Sequence, residues 1–441
     1  MNYISELQSV SMIEVEELHL NAGKIIKMNG IIHKIREMSG FAFVVLRTKR
    51  DLLQCVYSTD RSKCDLSTIA EGAAVIVEGE VVPDSRVMHG AEIHIINIHL
   101  LSKPAESLPV VINRKKLDVS LDTNLTYRPI SLRNPHERAI FKVQEGIARG
   151  FREYLLKQNF TEIRTPKIVF AGAEGGANIF KLDYFGKEVY LAQSPQFYKQ
   201  MMVGVFERVF EIAPVYRAEK HSTSRHLNEY VSMDFEMGFI NDFSEIMQME
   251  TGILKYVFRL LEAEYGKELE VLKVKVPHIE SIPAVKFMDA KNIIAKEYKR
   301  QIKDYHDFEP EEEQLLCEYA KKNFSSEFIF VTHYPSSKRP FYAMDDKGDP
   351  NYTLSFDLLY NGLEVTTGGQ RIHDYNQQIE KMISRGMNPE EFEFYLMLHK
   401  YGIPPHGGLG AGLERLTMKL LGLANVRNAC LFPRDMNRVT P

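Results

Sequence analysis

Over residues 23 to 100 apolar positions recur every second residue in short runs, "KIIKMNGIIHKIR", "FAFVVLRT", "LLQCVYS", "AAVIVEGEVV" and "AEIHIINIHLL", separated by Asn-Gly, Ser-Gly and Glu-Gly steps. Such spacing predicts short strands closing into a small barrel or sandwich. The next stretch, to about residue 133, is rich in Pro, Asn and Asp, lacks periodicity and reads as a linker. A helix then begins at Asn134, an N-cap candidate, with Pro135 at the first helical position and Glu137 placed to close a capping box. Ile140, Val143, Ile147, Phe151 and Leu155 form its apolar stripe. Strand-like segments dominate from 160 to 240. Among them, "RAEKHSTSRHLNEYVSMDFEM" sends Tyr230, Ser232, Asp234 and Glu236 to one face and Val231, Met233, Phe235 and Met237 to the other. The second set is a core face, and the first is either a solvated surface or the floor of a site. From 243 to 345 the chain is amphipathic and charged, and "KEYKRQIKDYHDFEPEEEQLLCEYAKKN" reads as a solvated helical surface.

Composition narrows the class. With 441 residues, 44% apolar and 26% charged, the chain is long enough for two or three domains with real cores. No apolar run reaches the roughly 18 residues of a membrane span, and the start lacks a basic flank and a cleavable apolar core. Four cysteines, Cys55, Cys64, Cys317 and Cys430, are scattered without metal-ligand spacing, so a reduced, cytoplasmic protein is expected. The net charge of −4 leaves nucleic-acid binding to local basic patches.

Three segments concentrate chemistry. "SFDLLYNGLEVTTGGQR" reads as a hairpin around Asn361-Gly362, in which Asp357 faces Thr366. Glu364 then shares a face with Asp357 at roughly 7–8 Å, a pair suited to Mg²⁺ shared with phosphates or, alternatively, two solvated acids. Gly368-Gly369 before Arg371 lets backbone approach a ligand, and the guanidinium suits a carboxylate. "PPHGGLGAGLERLTMKLLGL" reads as a glycine-rich helix start with Arg415 near its entrance, beside a stripe of Leu413, Leu416, Leu420 and Leu421. It is neither a Walker A loop nor a dinucleotide fingerprint. "AQSPQFYKQ" brings Gln196 and Lys199 together, for a small acidic substrate or as surface decoration.

In order along the chain, "FTEIRTPKI", "VYRAEKHSTSRHLNEYVSMD" and "GLGAGLERL", with "EGGANIF", "LAQSPQFYKQ", "GGQRIHD" and "LFPRDMNRVTP", resemble class II aminoacyl-tRNA synthetases, specifically the archaeal/eukaryotic aspartyl type. The resemblance covers essentially the whole chain. It implies an α+β protein: an OB-fold anticodon-binding barrel over 1–105, a linker over 106–133, and over 134–441 a catalytic domain of antiparallel sheet flanked by helices, with a variable insertion about 260–345. By resemblance Arg217 holds the ATP α-phosphate, Glu219 lies near adenine, and Arg225 and His226 reach the outer phosphates. Tyr230 stacks on adenine opposite Arg415. Glu364 and Thr367 match Mg²⁺ ligands, with Asp357 a further acidic neighbour. Ideal alternation puts Thr367 on the face away from Glu364, so either a bulge turns it or the register differs. Lys199 and Arg371 match the residues holding the aspartate side chain, and Gln196 and Glu174 handle its carboxylate and amine end. Phe43, Gln54 and Glu92 match anticodon contacts, and Pro166 lies in the motif that builds a homodimer interface.

The implied chemistry has two steps. The aspartate carboxylate attacks the α-phosphorus of ATP, and the 3′ end of tRNA then takes the aspartyl group. Because the attacking group is already anionic, it needs positioning and charge neutralisation rather than a base. An amide substrate would leave Lys199 and Arg371 unpaired, which favours aspartate over asparagine. Tryptophan-bearing relatives specific for tRNA(Asp) have their Trp where this chain has His33, and the chain has no Trp, which favours charging tRNA(Asn) as well. A non-catalytic RNA-binding paralogue would lack Arg217, Arg415 or Glu364, and an asparagine synthetase on the same core would lack the barrel. Neither a membrane nor DNA is an expected partner.

Overall fold

The computed structural model describes residues 13, 15–49, 51–172, 178–220 and 223–441. Contacts divide the chain into two compact units, 1–135 and 136–441. In the first, β1 (Ile25–Glu37), β2 (Phe41–Arg47), β3 (Leu52–Ser58), β4 (Ala74–Pro83) and β5 (Ala91–Ser102) close a barrel in the order β1-β2-β3-β5-β4. The alternating residues Ile26, Met28, Val44, Leu46, Leu53, Cys55, Val75 and Val77 fill it. β1 is long enough to pair first with β4 and then with β2, and its register shifts between Ile32 and Lys34. That bulge turns His33 inward directly after buried Ile32. The stretch read as an aperiodic linker holds two short helices, α1 (Leu121–Thr126) and α2 (Arg128–Ser131). Ser120 caps α1 by accepting from the Thr123 amide, and buried Arg128 donates to the Asn124 side chain at 3.0 Å.

The second unit opens with α3 (Pro135–Lys157), whose predicted stripe is buried throughout. Then follow β6 (Thr161–Glu162), β7 (Ile168–Val169), β8 (Lys181–Tyr184), β9 (Lys187–Leu191), α4 (Gln196–Phe206), β10 (Arg208–Tyr216) and β11 (Glu229–Gly238). The charged stretch supplies α5 (Ser244–Glu264), α6 (Gly266–Leu272), β12 (Ala284–Lys286), α7 (Phe287–Glu297), α8 (Pro310–Phe324) and β13 (Phe328–Thr332). β14 (Ser355–Tyr360), β15 (Glu364–Gln370), α9 (Tyr375–Ser384), α10 (Glu393–Lys400), β16 (His406–Gly412) and α11 (Leu413–Leu420) complete it.

One eight-stranded sheet, β12-β13-β14-β15-β16-β11-β10-β6, organises this unit, antiparallel except at its two ends. Met233, Phe235 and Met237 on its inner face pack with the apolar stripes of α3, α5 and α11. The run 296–323, read as a solvated helical surface, is solvated on one side only: α8 within it buries Leu316, Cys317 and Ala320. β12 and β13 extend the sheet, every residue of β13 is buried, and α7 and α8 close a second core over Ile329 and Val331. Period-two apolar runs of three to five residues are too short to stand out among long charged helices.

Glu250 of α5 is buried in the main core, lining a cavity of about 20 Å³ beside Thr366. Burial pushes its carboxyl up to about 8. The folded protein therefore keeps a proton that the unfolded chain releases near 4.3. Stability from this group is full at low pH and is lost as pH rises towards 8. Glu250→Gln is expected to be less sensitive than the parent to pH between 5 and 8.5 in urea unfolding; parallel pH profiles would refute this.

Candidate active site

The outer face of the sheet floors a cleft of about 1030 Å³. β10 and β11 pair from Arg208↔Met237 to Tyr216↔Glu229, and Arg217, Glu219, Arg225 and His226 between them line the cleft. Arg217 and Glu219 lie just beyond β10, where the Asn228 side chain donates to both their carbonyls at 2.7 and 3.1 Å. Tyr230, Ser232 and Asp234 line the floor, as their alternation required. The Arg217 guanidinium stands 5.9 Å from the centre of the Tyr230 ring. His226 Nδ1 is 2.6 Å from the Thr223 hydroxyl. Gln196, Lys199, Arg217, Glu219, Arg225, His226, Tyr230, Glu364, Thr367, Arg371 and Arg415, named from the sequence, all line this one cleft. Glu174 lies outside the described residues.

The β14–β15 hairpin settles the register question. Asn361 (φ 46°) and Gly362 (φ 78°) make the tight turn, and Tyr360 and Leu363 exchange backbone hydrogen bonds. The pairing runs Leu359↔Glu364, Leu358↔Thr366 and Asp357↔Thr367, so Val365 is an extra residue. This bulge brings Glu364 and Thr367 to one face, where the Thr367 hydroxyl donates to Glu364 Oε1 at 3.1 Å. Asp357 therefore faces Thr367, not Thr366. It is buried and meets Arg339 at 2.8 Å, so it is not a second acid free to join Glu364. Arg339 in turn lies 3.9 Å from the Tyr334 ring centre. Arg415 Nη1 donates to the Glu364 carbonyl at 3.2 Å and lies 3.4 Å from its carboxylate.

The glycine-rich run itself is strand β16, between β15 and β11, and the helix read from its leucine stripe, α11, follows directly at Leu413. A Cβ on Gly408 would collide with the Phe235 carbonyl and the Glu236 carboxylate, so glycine here makes room for a buried acid. At Gly368, which lines the cleft, a Cβ would sit 2.6 Å from the Phe356 ring, so strand packing alone already requires glycine here.

Four charges meet at the deep end. Lys199 Nζ lies 3.0 Å from Asp234 Oδ1 and 3.3 Å from Glu236 Oε2, and donates to the Leu409 carbonyl at 2.9 Å. Arg371 Nε donates to Glu236 Oε1 at 2.9 Å, and its Nη2 to the Gly408 carbonyl at 2.9 Å and Gln196 Oε1 at 3.4 Å. Burial alone would raise the Glu236 carboxyl, but Arg371 and Lys199 outweigh it and hold it below the usual carboxylate range. The expectation that Lys199 and Arg371 wait unpaired for a ligand is thus corrected: Asp234 and Glu236 already neutralise them. Both acids stood on the polar face in the sequence, but only register shows that they meet Lys199 and Arg371. Glu414, given no role from sequence, accepts the Val231 amide through both oxygens at 3.2 and 3.1 Å, and burial lifts its carboxyl to about 7.

On the barrel, Phe43 and Gln54 are half-buried on its outward face. Phe41 packs edge-on against Phe43 at 5.4 Å. Gln54 donates to Glu92 at 2.8 Å, and His94 holds the other Glu92 oxygen at 3.0 Å, so Glu92 is buried and doubly engaged. His33, expected beside the anticodon, is 3% exposed because of the β1 bulge and presents no side chain to a base. Pro166 is exposed between β6 and β7.

A closed five-stranded barrel and a glycine-threaded antiparallel sheet with arginines and an acid–threonine pair on one face define a nucleotide-dependent class II synthetase architecture. The chain belongs to the family of class II tRNA synthetases (D, K and N), whose model matches residues 120–436, and residues 26–101 match the OB-fold nucleic acid binding domain. It is 44% identical to an aspartate–tRNA(Asp/Asn) ligase of Deinococcus radiodurans, over 96% of this chain and 98% of that one. With the corresponding ligase of Thermus thermophilus it shares 45%, over 97% and 99%. Identity to the aspartate–tRNA(Asp) ligase of Pyrococcus abyssi is 37%, over 97% and 98%. Among solved structures, asparaginyl-tRNA synthetase of Pyrococcus horikoshii complexed with asparaginyl-adenylate superposes with a TM-score of 0.88 at 30% identity, covering 96% of this chain and 97% of that one. Among the described residues no helix is long and apolar enough to cross a membrane.

Proposed function

We propose that the protein is an aspartate–tRNA ligase: it activates L-aspartate with ATP and transfers the aspartyl group to the 3′ end of tRNA(Asp) and tRNA(Asn). The observation that carries this reading is the junction, in one cleft, of Arg217, Arg225 and Arg415 with the Glu364–Thr367 pair and the Lys199–Arg371 floor. Arg217 neutralises the α-phosphate, Arg225 and His226 meet the outer phosphates, and Tyr230 and Arg415 hold the adenine between them, with Glu219 at its edge. Aspartate rather than asparagine is favoured by the relatives at 44% and 45% identity, both named as aspartate ligases, and by the guanidinium of Arg371 at the cleft wall, which can only donate. Gln196, with Glu174, receives the other end of the amino acid.

Glu364 and Thr367 fit Mg²⁺. They are hard oxygen donors on one face, and a pair with a single acid suits an ion that takes its remaining ligands from phosphates and water. Such an ion supplies charge neutralisation on the polyphosphate. The chain's own residues orient the aspartate carboxylate towards the α-phosphorus and withhold water. Phe43 and Gln54 form the anticodon contact on the barrel, by stacking and hydrogen bonding. The protein works as a cytoplasmic C2 homodimer built around Pro166, consistent with exposed Ile168 and Phe170 beside it.

Purified protein is expected to sustain ATP–pyrophosphate exchange with aspartate but not asparagine, to charge transcripts of both tRNAs, and to sediment at twice the chain mass. Exchange driven by asparagine would overturn the amino-acid assignment. Negligible tRNA(Asn) charging would confine the enzyme to tRNA(Asp). The Asp/Asn names of the relatives at 44% and 45% identity favour the broader activity.

A further inference from the structure

Helix α8 lies outside every motif that carries the family resemblance, yet it reaches the cleft wall. Its first turn passes the β14–β15 turn, where a Cβ on Gly362 would be 3.1 Å from the backbone of Gln314. The preceding residue, Glu313, forms an ion pair with Arg225 of the loop between β10 and β11, 88 positions away in the chain. Both partners are largely buried, with side-chain exposures of 13% and 23%. Arg225 lines the cleft and Glu313 does not, so the acid stands behind the guanidinium rather than between it and a ligand.

The loop backbone around Arg225 is held independently of this pair. The Arg225 amide donates to the Thr223 hydroxyl at 3.2 Å, the Val426 amide to the Ser224 carbonyl at 2.9 Å, and Arg427 to the Thr223 carbonyl at 2.9 Å. What those bonds leave undetermined is the direction of a long, rotamer-rich side chain, and Glu313 supplies that direction. A guanidinium carries five N–H donors in a planar fork, so a carboxylate on one edge leaves the opposite edge for another anion. Beside it, Arg415 and Glu364 form a second arginine–glutamate pair at the same wall. Burial pushes the Glu313 carboxyl up to about 7, with Arg225 and Arg415 opposing and Glu364 adding to the rise, so measurements at pH 8 keep it ionised.

We propose that Glu313 is a positioning residue for the adenylation step: it aims the Arg225 guanidinium across the cleft so that its outward edge meets the outer phosphates of ATP. The inference rests on the proposed nucleotide role of Arg225. The test is aspartate-dependent ATP–pyrophosphate exchange at pH 8 with ATP and aspartate varied separately. Glu313→Gln keeps the shape and removes the charge. It is expected to raise the KM for ATP roughly five- to tenfold, the scale of one orienting charge-assisted hydrogen bond, without moving the KM for aspartate. In an Arg225→Ala background the same change is expected to add nothing, because the group it positions is gone. Thermal unfolding of each variant serves as the folding control.

An unchanged KM for ATP in Glu313→Gln, while Arg225→Ala raises it, overturns the positioning role and leaves the phosphate reading of Arg225 standing. A lowered KM overturns it in the other direction, because the pair would then hold Arg225 away from the nucleotide. A silent Arg225→Ala removes the phosphate reading and the positioning role together. Equal loss from Glu313→Gln with and without Arg225 makes Glu313 a purely structural residue.

Discussion

Arg217→Ala is expected to abolish aspartyl-adenylate formation while leaving the fold intact. Arg217 sits beyond the last paired residue of β10, with its backbone held by Asn228 and its guanidinium in the cleft near Tyr230. Its side chain therefore contributes little to the sheet, and in the proposed reaction it stands where negative charge develops. Removing one preorganised donor of this kind costs roughly 10²–10³-fold in kcat, and a full charge on a phosphoryl group puts the loss at the upper end or beyond. The readouts are aspartate-dependent pyrophosphate exchange and, as a control, binding of an anticodon stem-loop by the same protein. Exchange within tenfold of the parent would refute the assignment of Arg217 to the phosphate.

The second large effect concerns the region expected to be a variable insertion. Lys291 and Glu312 are both fully buried and meet at 2.6 Å, and Lys291 also donates to the Asp307 carbonyl at 2.6 Å. The Phe308 ring lies 4.5 Å from the ammonium. Glu312 additionally accepts from the Glu309 amide at 2.9 Å, closing the capping box that starts α8. Lys291→Met leaves Glu312 as a buried charge whose remaining ion-pair partner among the described residues is Arg300, at 3.7 Å. The expected loss is about 3–5 kcal/mol, the usual cost of removing one partner from a buried pair. Lys291→Met combined with Glu312→Gln is expected to recover most of it, because the glutamine keeps an acceptor for the capping amide and no charge is stranded. Denaturant midpoints decide the matter; equal destabilisation in the single and double variants would show that packing, not charge, was lost. Because α8 also carries Glu313, the single variant is expected to weaken ATP binding as well.

Much of the catalytic face was legible because it is local. Tyr230, Ser232 and Asp234 alternate along one strand, and alternation alone assigns their face. The stripe of α3 was equally plain, since three- and four-residue steps repeat from Ile140 to Leu155. The β16 glycines hid a strand for a physical reason: a glycine-rich run directly before a helix reads as part of the helix start, and only the crowding of Phe235 and Glu236 against Gly408 explains a strand there. His33 misled because a bulge carries no compositional mark, yet it turns one side chain from surface to core.

By itself the sequence determined the fold class, a small barrel followed by a catalytic sheet with helices, the order of the motifs and the residue types gathered at the cleft, because periodicity, turn residues and short motifs are local properties of the chain. Only the tertiary structure decided which charges meet. The extra residue at Val365 joins Thr367 to Glu364. Asp357 goes to Arg339, Lys199 and Arg371 close on Asp234 and Glu236, and Arg225 docks on Glu313. These pairings depend on strand register, where a single inserted residue exchanges the two faces, and on partners up to 135 positions apart, which no local pattern encodes.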